Sequence, residues 1–113
     1  MDGFYEYIKR GQFKVPVCNS CRRYVWPPSQ YCSSCLGKAE LKSILRKGTL
    51  VEFTKSHIGN NPVTFGLVEI RGMRLVGRLT AASQEFRSGM KVRMTQCGID
   101  TDGKIFYEFK ACE

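Results

Sequence analysis

Cys18-Asn19-Ser20-Cys21 and Cys32-Ser33-Ser34-Cys35 decide the reading of this chain. Each pair places two residues between its cysteines, so the backbone curls and both sulfurs point at one spot. Amides inside such a turn can donate to the thiolates and spread their charge. Ten residues separate the pairs, and two knuckles brought together supply the four soft ligands of a closed tetrahedral zinc site. One pair alone could equally be a redox couple. Two at this spacing point to structural zinc on Cys18, Cys21, Cys32 and Cys35, with rubredoxin-type iron as the alternative metal. Two disulfides are the other alternative and require an oxidising compartment. The opening residues, Met1-Asp2-Gly3-Phe4-Tyr5-Glu6, show no basic-then-apolar leader pattern, so the expectation is an intracellular, cytoplasmic chain with reduced, metal-bound cysteines.

Between the knuckles, Arg22 to Tyr31 reads as a short hairpin or extended arm followed by a turn stiffened by Pro27 and Pro28. Upstream, Phe4, Tyr5, Ile8 and Phe13 follow helical spacing over Asp2–Arg10, with Asp2 as cap and Gly11 as stop. So short a helix is marginal alone. It needs a surface, either its own domain or a partner subunit. Downstream, Gly37 to Lys47 alternates charge with Leu41, Ile44 and Leu45, which predicts a strand or extended connector laid against the following domain.

From Gly48 the pattern changes to period two, broken by glycine and asparagine. Strands are expected over Thr49–Ile58, Val63–Ile70 (with Val63, Phe65 and Leu67 as one alternate set), Met73–Thr80, from Gly89 onward, and around Ile105, Tyr107 and Phe109. Turns are expected at 59–62, at Arg71-Gly72 and at Asp100–Gly103, and a single helical turn over Ala81–Arg87. Five strands with a short insertion after the third give the order of an OB-fold barrel, another small Greek-key barrel being the alternative. The fold class is therefore mainly β: an N-terminal helix over 1–13, a rubredoxin-like zinc ribbon and connector over 14–47, and a five-stranded OB-fold barrel over 48–113.

In that order the chain resembles a known family, the small proteins that join a rubredoxin-like zinc ribbon to an acyl-CoA-associated OB-fold, long filed as a domain of unknown function. The matching features are the helix ending at Gly11, the two cysteine pairs, and Trp26-Pro27-Pro28. Gly48-Thr49-Leu50-Val51, Pro62 with Val63–Ile70, and Gly89-Met90-Lys91-Val92 complete them. The resemblance implies a scaffold subunit working beside thiolase-superfamily enzymes, holding enzyme subunits together and lining the path of the CoA arm. It carries over no side-chain catalyst.

The 113 residues hold 18 Lys and Arg against ten Asp and Glu, a formal +8. Four thiolates around a divalent ion bring the metallated chain to about +6. Residues 1–47 carry nine bases and three acids, and 48–113 nine and seven. That balance suits a polyanionic partner without choosing nucleic acid, nucleotide-bearing cofactor or acidic protein. No apolar run is long enough for a membrane span.

Outside the cysteine knuckles the candidates are modest. His57, the single histidine, shares a face with Val51, Phe53 and Lys55 by alternation and reads as a partly exposed bystander, or a ligand contact at the barrel mouth. Cys97 falls by alternation on the outward face of Lys91, Arg93 and Thr95, and Cys112 lies at the chain's end; both read as ordinary thiols. Trp26 either anchors a partner or caps the ribbon's own core. Arg74, Arg78, Lys91 and Arg93 form an outward basic set that is either a solvated face or an anion-binding patch.

A nucleic-acid-binding module is the alternative function, disfavoured because Phe106 is the single strand aromatic expected outward, too few for a stacking platform. A stand-alone enzyme is not expected, since no paired acid and base and no Gly-rich phosphate loop appear.

Overall fold

In a computed structural model, residues 2–58, 61–80 and 86–112 are described. Helix α1 (Asp2–Lys9) and strands β1 (Lys14–Cys18) and β2 (Ala39–Ser43) build a first compact unit, Met1–Leu45. The second, Arg46–Glu113, holds β3 (Lys47–Ile58), β4 (Asn61–Ile70), β5 (Met73–Thr80), β6 (Lys91–Ile99) and β7 (Ile105–Ala111).

In the first unit the helix stops where the sequence says. Gly11 adopts φ 75°, its amide donates to the Ile8 carbonyl at 2.9 Å, and the Gln12 amide to that of Tyr7 at 2.9 Å. This is the Schellman closure that a left-handed glycine permits. Asp2 lies within the helix rather than ahead of it. Phe4 and Ile8 are buried, and Phe4, Phe13 and Trp26 form a ring of edge-on contacts with centroids 5.7 to 6.5 Å apart. The helix thus docks on its own unit, and Trp26 caps the ribbon's core.

The connector corrects one expectation. Ala39–Ser43 pairs antiparallel with Lys14–Cys18, from Lys14↔Ser43 to Cys18↔Ala39. It is a strand of the ribbon, and its backbone pairs with the edge that β1 would otherwise leave open. Residues 22–31 do not form a hairpin of their own. Single bridges tie Tyr24 to Val17 and Tyr31 to Lys38, so the arm adds to the existing two strands.

The second unit closes in the order β3-β4-β5-β7-β6, with β6 returning to β3. All pairings are antiparallel except β5 with β7. That is the OB-fold's partly closed Greek-key barrel. Arg71 and Gly72 both take positive φ, 48° and 85°, the turn that fits a tight hairpin between β4 and β5. Asp100 Oδ1 accepts from the Asp102 and Lys104 amides at 2.9 Å each, fixing the β6–β7 turn. The core is Leu50, Val68, Ile70, Met73, Leu75, Leu79, Val92, Met94, Cys97 and Phe109. Gly77 lets β5 and β7 meet: a Cβ there would stand 2.5 Å from Phe109 Cε2 and 2.7 Å from the Tyr107 carbonyl oxygen.

Two bulges reset the alternation. The β3–β4 register shifts between Leu50 and Glu52, and the β6–β7 register between Met94 and Gln96. A bulge inserts one residue and turns every later side chain to the other face. Cys97 is therefore buried, not outward with Lys91, Arg93 and Thr95. On β4 the core face is Gly66, Val68 and Ile70, and the set Val63, Phe65 and Leu67 is only half-buried. Phe65 therefore joins Phe106 as an outward aromatic. Phe106 covers Gly98, where a Cβ would meet its ring at 2.9 Å. The turn expected at 59–62 and the helical turn over Ala81–Arg87 lie largely outside the described residues.

Candidate metal centre

The two knuckles are built alike. In the first, the Arg22 amide donates to the Cys18 carbonyl at 3.0 Å and the Cys18 amide to that of Arg23 at 2.9 Å. In the second, Leu36 donates to Cys32 at 2.8 Å and Cys32 to Gly37 at 2.9 Å. The residue after each second cysteine takes a left-handed conformation, Arg22 at φ 65° and Leu36 at φ 61°. This matched hydrogen bonding curls each Cys-x-x-Cys segment. Strand β1 delivers Cys18, and the Tyr31↔Lys38 bridge sets the second knuckle beside it.

The four sulfurs lie within 4.8 Å of one another. Cys18 Sγ is 3.4 Å from Cys35 Sγ, and Cys21 Sγ is 3.7 Å from Cys32 Sγ. A tetrahedron of thiolates at the usual zinc–sulfur bond of about 2.3 Å has edges of about 3.8 Å. The donor set therefore fits a four-thiolate zinc ion, and the same distances, with all four thiols unbridged, rule out the paired disulfides. Cys18 and Cys32 are buried, Cys21 and Cys35 face solvent.

Charge follows geometry. The Cys21 backbone amide, donating to Cys18 Sγ at 3.5 Å, leads the causes that hold the Cys18 thiol down at about 6. Amides of Cys35 and Ser34 lower Cys32 in the same way. At Cys35 the Gly37 amide pulls down, but Cys18, Cys21 and Cys32 together with burial prevail and push it up to about 11. Four thiols packed this closely cannot all ionise without a cation among them, which is the condition a divalent zinc ion meets. All four positions are taken by sulfur, so zinc here is structural.

The comparisons agree with this geometry. Residues 6–41 match the family described as the rubredoxin-like zinc ribbon domain of ChsH2. Residues 6–41 are thus similar to a ChsH2-type zinc ribbon. A solved structure named Ltp2-ChsH2(DUF35) aldolase aligns with a TM-score of 0.77 at 19% identity, covering 97% of this chain and 92% of that one. A DUF35-family protein of unknown function from Sulfolobus solfataricus aligns at 0.66 and 16% identity, covering 98% and 84%. A comparison with curated proteins gave no match. The resemblance to ribbon-and-barrel proteins holds, and the ion is zinc rather than rubredoxin-type iron.

One expectation does not survive. The lack of a local catalytic signature points away from an enzyme, yet a solved structure that shares the fold nearly end to end is named an aldolase. A motif search within one chain is blind to a site whose reacting groups come from several chains, so the missing signature decides nothing about catalysis.

The remaining candidates are rearranged. His57 pairs with Pro62 across β3 and β4; its side chain is outside the described residues. Arg74 and Arg78 on β5 are separated from Lys91 and Arg93 on β6 by the intervening β7, so the four do not form one patch. Arg74 Nε lies 3.7 Å from Glu69 Oε2, and Arg78 faces Glu108 in register. Lys91 Nζ donates to Thr49 Oγ1 at 2.9 Å. Cys112 is held by its amide, which donates to the Lys91 carbonyl at 3.0 Å. Sequence reasoning missed Lys47 and Lys110, which flank Arg93; only the strand order could have brought them together.

Proposed function

We propose that this chain is a subunit of an acyl-CoA-processing enzyme assembly, partnered with a thiolase-superfamily enzyme in the cytoplasm. The observation that carries the reading is the end-to-end likeness to a chain whose name joins a DUF35 protein to an aldolase. In this reading zinc on Cys18, Cys21, Cys32 and Cys35 is structural, stiffening helix and ribbon (residues 1–47) as one part, while the barrel (48–113) is the other and lines the path of the CoA arm. A thiolase-like partner accords with the acyl-CoA-associated barrel that the sequence resembles.

Support also comes from the apolar relief of the barrel's outer surface. A cleft of about 440 Å³ there is lined by Phe65, Val76, Arg78, Phe106 and Tyr107 among others, and Val76 is exposed. A partner subunit covering that face gains apolar burial.

The test is native capture of the tagged chain from its own cells, with nuclease treatment and washes at low and moderate salt, followed by mass spectrometry. A thiolase-superfamily enzyme retained at both salts is the expected result. Capture of nucleic-acid-associated proteins alone, lost on nuclease treatment, overturns the reading.

A further inference from the structure

Three cations stand in one lateral row on the outside of the barrel. Lys47 of β3 pairs with Arg93 of β6, and Arg93 pairs with Lys110 of β7. Residues directly opposite in a sheet point to the same side, and all three are exposed. Adjacent strands lie about 4.8 Å apart, so the row spans about 10 Å. Like charges placed directly opposite repel and destabilise a sheet. Among the described residues, the cleft of about 380 Å³ that they line is completed by Thr95, Ala111 and Cys112, without a carboxylate; the carboxylate of Glu69 lines the neighbouring cleft that Lys47 also borders. The ion pairs Lys9–Glu6 and Arg74–Glu69 involve none of the three.

The floor of this cleft is fixed. Thr95, outward by the same alternation as Lys91 and Arg93 and standing at the bulge after Met94, donates its hydroxyl to the Glu108 carbonyl at 3.3 Å. The Cys112 amide bonds to Lys91, so the last strand does not fray from under Lys110. Arg93, in the middle, offers a planar fork that matches phosphate oxygens, and the two lysines flank it as point charges.

We infer that Lys47, Arg93 and Lys110 form a subsite for a small ligand carrying two phosphate groups, a diphosphate or bisphosphate ester. Three positive charges in a row of this length match the charge and reach of two phosphates better than a single carboxylate. The inference deepens the acyl-CoA reading and rests on it for the identity of the ligand, since coenzyme A brings a diphosphate and a further phosphate wherever it binds.

The test is calorimetric titration of the zinc-loaded full chain with inorganic pyrophosphate, with coenzyme A and with a short single-stranded oligonucleotide, at two salt concentrations. Pyrophosphate and coenzyme A are expected to bind, more weakly at higher salt. Arg93→Gln is expected to weaken both at least tenfold, while Lys104→Gln, on the β6–β7 turn, leaves them unchanged. Circular dichroism confirms that each variant is folded. The inference is overturned if neither phosphate ligand binds at millimolar concentration, if Arg93→Gln binds as tightly as the parent, or if only the oligonucleotide binds. The isolated chain is used throughout, so such a failure leaves the capture of an enzyme partner untouched.

Discussion

Cys97 faces Tyr107 across β6 and β7, inside the barrel, and it is the bulge at the preceding Thr95 that puts it there. Burial raises the Cys97 thiol above its ordinary range, with Arg46 pulling weakly the other way. Burial also raises Tyr107, helped by Cys97. In the native, zinc-loaded protein a thiol reagent is therefore expected to label Cys112 quickly and Cys97 only as fast as the barrel opens. Equal rates at the two cysteines, read by peptide mapping, contradict the bulge.

The same pair sets an alkaline limit. Both groups ionise at higher pH in the folded chain than in the unfolded one, so each contributes stability that is intact below its unfolded value and lost as pH rises through the folded value. The urea midpoint is expected to hold at neutral pH and to fall from about pH 8.5 upward, first through the thiol and then the phenol. Cys97→Ala should remove the first part of that fall. A midpoint flat to pH 11 contradicts it.

Zinc removal should act on one unit. A chelator strong enough to strip the ion, or Cys32→Ser, leaves the ribbon without its cross-link, and so small a core cannot hold itself. Amide signals of residues 2–45 are expected to collapse while those of the barrel persist, with zinc content falling from one per chain to near none. A ribbon spectrum that survives chelation refutes a structural role for the metal.

Phe4→Ala deletes a buried ring from the Phe4–Phe13–Trp26 cluster. The expected cost is about 3 kcal/mol, the usual loss for such a truncation, seen in thermal unfolding of the ribbon and as a shift in Trp26 fluorescence. A loss below about 0.5 kcal/mol, within the range of surface changes, means the helix is not docked as described.

Leu36 runs opposite to expectation for an apolar side chain: it is 77% exposed and held at φ 61°. The left-handed conformation costs a residue with a Cβ on the order of 1 kcal/mol, and glycine takes it freely. Leu36→Gly is expected to raise ribbon stability by about 0.5 kcal/mol after the greater flexibility of the unfolded chain is counted. A clear destabilisation assigns the leucine a packing role that its exposure denies.

What was legible in the sequence follows from what is local. The cysteine spacing, the glycine stop of α1 and the strict alternation over Met73–Thr80 each depend on neighbours a few residues away, and each appears where expected. The unread parts depend on pairing. No pattern within β6 announces that Thr95 bulges, so alternation alone puts Cys97 on the wrong face. Likewise Gly37–Lys47 has an alternation that fits either domain, and only its match to Lys14–Cys18 decides. The row of Lys47, Arg93 and Lys110 joins three strands distant in sequence and exists only once the barrel closes.

The most direct test of the central claim is acyl-CoA turnover by the natively captured complex, compared with its enzyme partner freed of this chain and then recombined with it. The account predicts activity that falls at least tenfold on removal and returns on adding back the zinc-loaded chain, but not the Cys32→Ser variant. A partner that turns over acyl-CoA equally well alone and never re-associates with the chain contradicts it.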